Sequence, residues 1–277
     1  AIRDAHQRDT RSPGERLAWR PSVTLTVDVG NSHTVVGLWK GGGLTQTLRL
    51  STDAKRTADE WRILLNAWLK DSRVEGKISR AAFCSVVPAA SSALGDAIIA
   101  MGVKSPLWLS ADIKLNFGFN YPQPQTLGAD RIADLIAAKH FFGENCIAVD
   151  FGTAITFSVL TEGKFQGGVI APGITSSLEA LFSSTAKLPK IAFHQTKSGL
   201  GKSTGESIEI GAFVGWRGVV REILAEIKRE LPLNGANHKI VATGGISESL
   251  DFAPDFFDVV DKNLTLKGLY LAAEETL

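Results

Sequence analysis

The stretches VTLTVDVGNSHTVVGLW (residues 23–39) and CIAVDFGTAITFSVL (residues 146–160) are two copies of one pattern. In each, a β-branched run leads into Asp-x-Gly-(Asn/Thr) and a second apolar run leads away, the sequence mark of a β-hairpin around a small polar turn. Asp28 and Asp150 hold the matching places. A single hairpin of this kind is commonplace. The same hairpin half a chain apart predicts duplicated α/β domains whose turns face each other. Two facing glycine turns can hold a polyphosphate between them, because successive backbone N–H groups in such a turn make a nest for anions.

Outward from the first copy, GGG at 41–43 predicts a turn and Leu44–Leu50 a third antiparallel strand. Thr57 and Glu60 form a Thr-x-x-Glu capping box that opens a helix, TADEWRILLNAWLK. Its Trp61, Leu64, Leu65 and Trp68 share one face and are expected to be core. RAAFCSVV (80–87) reads as a buried strand ended by Pro88, followed by a helix over 89–101 and a short strand, PLWLS. Residues 112–127 read as a loop. GADRIADLIAAKHFF then forms a helix joining the two halves, with Ile132, Leu135 and Ile136 inward. The second half repeats the plan, with strands near 146–151, 154–161 and 164–170, helices near 175–184 and 205–231, a strand at 239–245 and a last helix from about Thr265. The 277 residues divide into domains at 22–133 and 134–277, behind a flexible extension at 1–21.

Composition narrows the function. Hydrophobic residues make up 44% and charged residues 21%, as in ordinary globular proteins. A formal net charge of +1 with no long basic run argues against nucleic acid and against an acidic membrane surface as partners. No apolar stretch approaches the ~20 residues of a membrane span, and residues 1–21 lack the apolar core of a signal peptide. Cys84 and Cys146 lie in apolar strand-like runs and read as buried, reduced thiols, which points to the cytoplasm. No Cys/His spacing suggests a zinc site.

In the first turn, Asn31, Ser32 and Thr34 add neutral donors to the backbone nest, while Asp28 would repel phosphate directly and is suited to holding a Mg²⁺–water cluster. In the second, Thr153 can donate to a phosphate oxygen and Asp150 can coordinate a cation. GGVIAPG (167–173) and ATGG (242–245) place glycines at strand ends, where backbone approaches a ligand or turns sharply. LGADRIADLIAA supplies the reacting groups. Asp130, at the helix start, can orient a hydroxyl and accept its proton, or serve simply as the N-cap. Arg131 offers a fork for a carboxylate.

Ten strings, in order, carry a family resemblance: DVGNSHT, STDAKRTADEW, SVVP, YPQPQTLGADR, VDFGTAITF, GGVIAPGI, TAKLP, GKST, ATGG and LTLKGL. The chain resembles the type III pantothenate kinases over about residues 23–273, and through them the acetate and sugar kinase, Hsp70 and actin superfamily. The resemblance implies an α/β fold of duplicated ribonuclease H-like (actin-like ATPase) domains, with mixed central sheets flanked by helices. It implies ATP binding through Asp28, Val29, Gly30, Asn31, Ser32, His33, Thr34 and Val35, with Thr153 from the second turn. It makes Asp150 the ligand of a monovalent cation, K⁺ or NH₄⁺, and Asp130 the base that activates the pantothenate hydroxyl. Tyr121, Gly128, Ala129, Asp130, Arg131 and Thr204 would line the pantothenate site, closed partly by the partner subunit of a homodimer. Ser32 replaces the family's commoner Thr, GKST replaces the commoner GKNT, and Glu206 and Glu209 add charge in a segment expected to affect dimer packing. Two alternatives stand beside this reading: another small-molecule kinase of the superfamily, and a non-catalytic regulatory relative.

Overall fold

Backbone pairing turns the first repeat into the sheet that its β-branched runs predict. Residues 23–73, 77–196, 198–231, 237–250 and 253–276 are described in a computed structural model; the extension assigned to residues 1–21 lies outside them. Strands β1 (Val23–Val29), β2 (His33–Lys40) and β3 (Gly43–Ser51) run antiparallel, and β4 (Ile78–Ser85) and β5 (Leu107–Trp108) add in parallel on the far side of β1. The order is β3-β2-β1-β4-β5. The second repeat builds β7 (Cys146–Phe151), β8 (Ala154–Thr161) and β9 (Lys164–Pro172) in the same antiparallel way, with β10 (Lys239–Thr243) and β11 (Val259–Val260) parallel beyond β7. A sixth strand corrects the loop expected over 112–127. There β6 (Gly118–Phe119) pairs in parallel with β9, and a 3₁₀ turn covers Pro124–Thr126. Two residues are too few to show a strand period in sequence.

Alternation along β1 assigns its two faces. Val23, Leu25, Val27 and Val29 pack with Trp61 and Leu65 of α1 (Ala58–Asp71) and with Leu94 and Ile98 of α2 (Pro88–Ala100). In the second sheet, Ile147, Val149 and Phe151 pack on Phe213, Val220 and Leu224 of α5 (Thr204–Glu230), beyond α4 (Ile174–Ser183). The other faces of both sheets cover a middle layer of α3 (Ala129–Phe142) and α7 (Leu264–Thr276), the latter following the short α6 (Ala253–Phe256) and β11. Helix α3 touches β4, β7 and β8, while α7 touches β1 and β4. Sandwiching explains why α3 is apolar on most sides, with Ile132, Ala133, Leu135, Ile136, Ala137 and Ala138 all buried.

The capping box of α1 is present as the sequence predicts: the Thr57 hydroxyl accepts from the Glu60 N–H and the Glu60 carboxylate accepts from the Thr57 N–H. Its core stripe is narrower than expected. Trp61 and Leu65 are fully buried and Trp68 half-buried, but Leu64 is exposed, because the sheet covers a smaller arc than the i, i+3, i+4, i+7 set.

Helices α3 and α7 cross at close range through Gly268. A Cβ there would lie 1.8 Å from the Ala133 carbonyl oxygen and 2.9 Å from its Cα, backbone that cannot swing aside. Gly268→Ala is therefore expected to cost about 1–3 kcal/mol of stability as overpacking, read as a lower urea midpoint with an unchanged slope. A wild-type midpoint would show that the crossing yields without cost.

Candidate active site

The first turn is pinned by the residue after the edge strand. Gly30 N–H donates to His33 O at 3.0 Å and closes the turn. Thr52 then donates from its hydroxyl to Gly30 O at 2.7 Å and from its N–H to Ser32 O at 3.0 Å, and its hydroxyl meets that of Thr34 at 2.9 Å. Asn31, Ser32 and His33 remain exposed at the tip, whereas Val29 and Thr34 are buried beneath it and Val35 is half-buried. The Thr34 hydroxyl is thus spent on Thr52, and its contribution to the turn is shape.

The second turn faces the first. Ser32 Oγ and Thr153 Oγ1 lie 3.0 Å apart, a direct hydrogen bond between the two repeats. The Thr153 carbonyl accepts from Gly173 N–H at 3.0 Å and from Ser176 Oγ at 2.9 Å, which docks the start of α4 against the turn. A Cβ at Gly173 would fall 2.2 Å from that carbonyl, so the glycine of APGI is a packing requirement. Gly244 of ATGG plays the corresponding part on the other side. Its φ is +96°, and a Cβ there would sit 2.3 Å from Asp150 Oδ1.

Three carboxylates converge behind the turns. Asp28 ends β1, Asp150 ends β7 and Asp130 stands in the first turn of α3, between the sheets. Burial, and then the charge of Asp130, raises the Asp28 carboxyl to about 7, against smaller lowering effects from Cys84 and Arg49. Burial, then Asp28 and Asp130, raises Asp150 to about 7. Neither Asp28 nor Asp150 forms an ion pair among the described residues. Cys84, one strand from Asp28, donates from Sγ to Asp28 Oδ1 at 3.3 Å. Burial and then the Asp28 charge push that thiol well up, which keeps its proton in place as the donor. No set of three or more His, Cys, Asp or Glu side chains forms a ready metal cage among the described residues. Buried carboxylates without a cationic partner nevertheless suit a hard cation that keeps waters and takes its remaining ligands from phosphate.

Asp130 is not the N-cap, the alternative that its position at the helix start left open. Gly128 is the N-cap, its carbonyl accepting from Ile132 N–H at 3.1 Å. Asp130 lies two residues inside the helix, and its Oδ1 accepts from Arg131 N–H at 2.8 Å. A Cβ at Gly128 would approach Asp130 Oδ1 to 2.4 Å, so this glycine leaves room for the carboxylate.

Arg131 is held rather than free. Its Nε donates to Ser158 Oγ at 2.9 Å and its Nη2 to Phe157 O at 3.4 Å, and the guanidinium carbon lies 5.5 Å from the centre of the Phe165 ring. Tyr121 meets the same ring edge-on at 5.2 Å. Gly168 opposes Ser158 across the ladder, and a Cβ there would fall 2.5 Å from Arg131 Nη2. Among the described residues Nη1 has no hydrogen-bond partner, so its donors are open to an anion. Thr204 stands exposed as the first residue of α5, with Ser203 as N-cap; Glu206, expected to affect dimer packing, accepts from Lys202 N–H and donates its own N–H to Ser203 Oγ.

Sequence reasoning missed Thr52, Ser158, Phe165 and Asp134. Asp134 is 2% exposed and accepts from Thr265 Oγ1 at 2.7 Å. Burial, then Asp150, raises its carboxyl well above the usual range. Its signal was available, since an acidic residue between Ile132 and Leu135 falls on the inward stripe. The other three are placed by strand pairing, which leaves no local trace.

Two matched three-stranded hairpins whose turns meet beside three converging carboxylates and an arginine form the arrangement of a phosphotransferase of the actin-like ATPase class. Solved structures agree on the fold. A ROK family glucokinase from Streptomyces griseus in complex with glucose and AMPPNP superposes with a TM-score of 0.53 at 13% identity, covering 92% of this chain and 100% of that one. The activator of 2-hydroxyisocaproyl-CoA dehydratase from Clostridium difficile with bound ADPNP gives 0.52 at 12% identity, over 91% and 94%. The sequence profile of the type III pantothenate kinase family matches residues 24–226. Type III pantothenate kinases from Kosmotoga olearia and Cereibacter sphaeroides are 36% and 37% identical over 256 and 251 residues, covering 91% and 90% of this chain and 96% of each relative. The chain belongs to the type III pantothenate kinases.

Proposed function

We propose that the chain transfers the γ-phosphoryl group of ATP to the terminal hydroxyl of pantothenate, giving 4′-phosphopantothenate, the first committed product toward coenzyme A, with Asp130 as general base. The observation that carries this reading is the placement of Asp130 and Arg131 side by side on α3, with Asp130 close enough to act on Asp28 and Asp150, behind two turns that touch through Ser32 and Thr153. Arg131 takes the acceptor's carboxylate on its open Nη1 edge, between Tyr121 and Phe165, which sets the far end of the molecule. Gly128 and Ala129 let its chain pass the helix start, and Thr204 contributes from α5. The hydroxyl oxygen attacks Pγ as the bond to the β,γ-bridging oxygen breaks; ADP departs and the hydroxyl proton goes to Asp130.

The turn at residues 28–35 holds ATP with Thr153, its exposed tip toward the phosphates and Val29, Thr34 and Val35 shaping it from beneath, and ATGG runs beneath the nucleotide from the adenosine toward its phosphates. Asp28 would hold Mg²⁺ through water and Asp150 a monovalent cation, K⁺ or NH₄⁺; bound with ATP, these ions supply charge that offsets the phosphates. The halves 22–133 and 134–277 are the proposed domains, with β6 of the first completing the second sheet and α7 of the second packing on β1 and β4 of the first. Homodimer formation is supported by apolar side chains exposed on three successive elements, Ile170 of β9, Leu181 and Phe182 of α4 and Val214 of α5. The cytoplasm is the expected compartment. Among the described residues, no helix is long and apolar enough to cross a membrane.

A coupled ADP-release assay with MgATP tests this, run with and without pantothenate and in K⁺ against Na⁺. Release that needs both pantothenate and K⁺ is expected. Release with another acceptor but none with pantothenate would overturn the substrate, and equal rates in Na⁺ would overturn the role of Asp150.

A further inference from the structure

Residues directly opposite in a ladder share a face. Asp28 pairs with Val35, and Val35 pairs with Arg49, so Arg49 of the edge strand β3 projects from the same side of the sheet as Asp28. Leu48 and Leu50, its neighbours, turn instead to the core around α1. Arg49 does not stay with its own sheet. Its guanidinium points its Nη1/Nη2 edge at the glycine turn after β10, where a Cβ on Gly245 would be 2.9 Å from both nitrogens and 3.3 Å from Cζ. An arginine of the first repeat therefore spans the cleft to the second, between the first turn and ATGG. Its charge is felt by Asp28 and by His33.

This arginine is also unspent. No carboxylate lies within ion-pair distance of it among the described residues, and its side chain is exposed. Arg131, by contrast, is committed to Ser158 and Phe157. A planar fork with five donors, beside Asp28 and the Gly244–Gly245 turn yet in no ion pair among the described residues, is suited to a phosphate chain.

We propose that Arg49 is a ligand of the nucleotide's phosphate chain, clamping it from the first repeat against the Gly244–Gly245 turn of the second. The proposal rests on the cleft being the nucleotide site and adds a residue that the turn motifs do not include. A guanidinium without a protein partner gains charge-assisted hydrogen bonds only when phosphate arrives, and the loss of such bonds weakens binding roughly ten- to hundredfold.

Titrations of ATP, ADP and adenosine into wild type, Arg49→Gln and Arg49→Lys test it, with KM for ATP and for the acceptor measured in parallel. Arg49→Gln is expected to weaken ATP and ADP at least tenfold, leave adenosine and the acceptor KM unchanged, and retain the wild-type melting temperature, with Arg49→Lys intermediate. Equal weakening of adenosine would make Arg49 a strut for the glycine turn and overturn the proposal, as would wild-type ATP affinity in Arg49→Gln. Failure of the wild type itself to bind ATP would instead overturn the assignment of the cleft.

Discussion

Asp130→Asn is expected to lower kcat for pantothenate phosphorylation by about 10²–10⁴-fold, the usual contribution of a positioned base, with ATP binding retained. The variant keeps the shape of the side chain, and the Asn oxygen can still accept from Arg131 N–H, so the start of α3 survives. What is lost is a group that takes the hydroxyl proton. The surrounding charges add a second expectation. Asp130 is a like-charged neighbour that raises both Asp28 and Asp150. Removing its charge lowers both carboxyls, so more of each is ionised at neutral pH and MgATP binds at least as tightly as in the wild type. Calorimetric titration with MgATP, beside steady-state kinetics, separates the two. Near wild-type kcat would remove Asp130 from the proton transfer. A kcat loss matched by a comparable loss of MgATP affinity would make it a nucleotide-site residue instead.

The parts of the site legible in sequence are those written into continuous chain. The duplicated Asp-x-Gly turn was visible because both flanking runs are β-branched and both turns are small and polar, and the Ser32–Thr153 hydrogen bond is the physical outcome of that duplication. The Thr57–Glu60 box and the inward face of α3 were visible for the same reason, since capping and helical period are properties of neighbours within four residues. Asp130 and Arg131 came as a pair because adjacent residues at a helix start must share a neighbourhood.

What escaped depends on pairing between distant strands. Cys84 reads in sequence as a buried thiol, which it is, but its bond to Asp28 follows only from β1 and β4 lying in parallel register. Ser158 and Gly168 meet Arg131 because β8 and β9 pair with that offset, and Phe165 closes the wall from the far side of a register shift between Val159 and Leu160. Arg49 sits in a polar-looking strand and gains its place only from the row Arg49–Val35–Asp28. Leu64 fails in the opposite direction: it has the right helical phase, but exposure is decided by how far the sheet reaches.

Asp28→Asn and Asp150→Asn are each expected to abolish turnover and to raise the melting temperature of the ligand-free protein at pH 8. The two effects have one origin. In the unfolded chain these carboxyls titrate at their ordinary value of 3.8, and in the fold near 7, chiefly because burial disfavours the charged form. Between those values the folded protein holds protons that the unfolded chain has released, so stability falls as pH rises through that window and levels off above about 7. At pH 8 both groups are ionised at the full cost, which asparagine does not bear. At pH 5 the folded wild type is still largely protonated and resembles the asparagine variant, so the gain there is smaller. Each kcal/mol relieved appears as about 2–4 °C in Tm. Cations and ATP reverse the balance. On the proposed roles of Asp28 and Asp150 they would bind the ionised carboxylates, stabilise the wild type by mass action and give the variants less, so a thermal scan with MgATP and K⁺ should narrow or invert the order seen without ligands. Binding should also release protons between pH 6 and 7, measurable as a buffer-dependent enthalpy. A ligand-free Asp28→Asn that melts below the wild type at pH 8, or gains more at pH 5 than at pH 8, would mean that Asp28 supports the fold, and its burial beside Cys84 would then be structural. The expected order instead marks a floor of carboxylates kept at the expense of stability because the cation-bound state requires their charge.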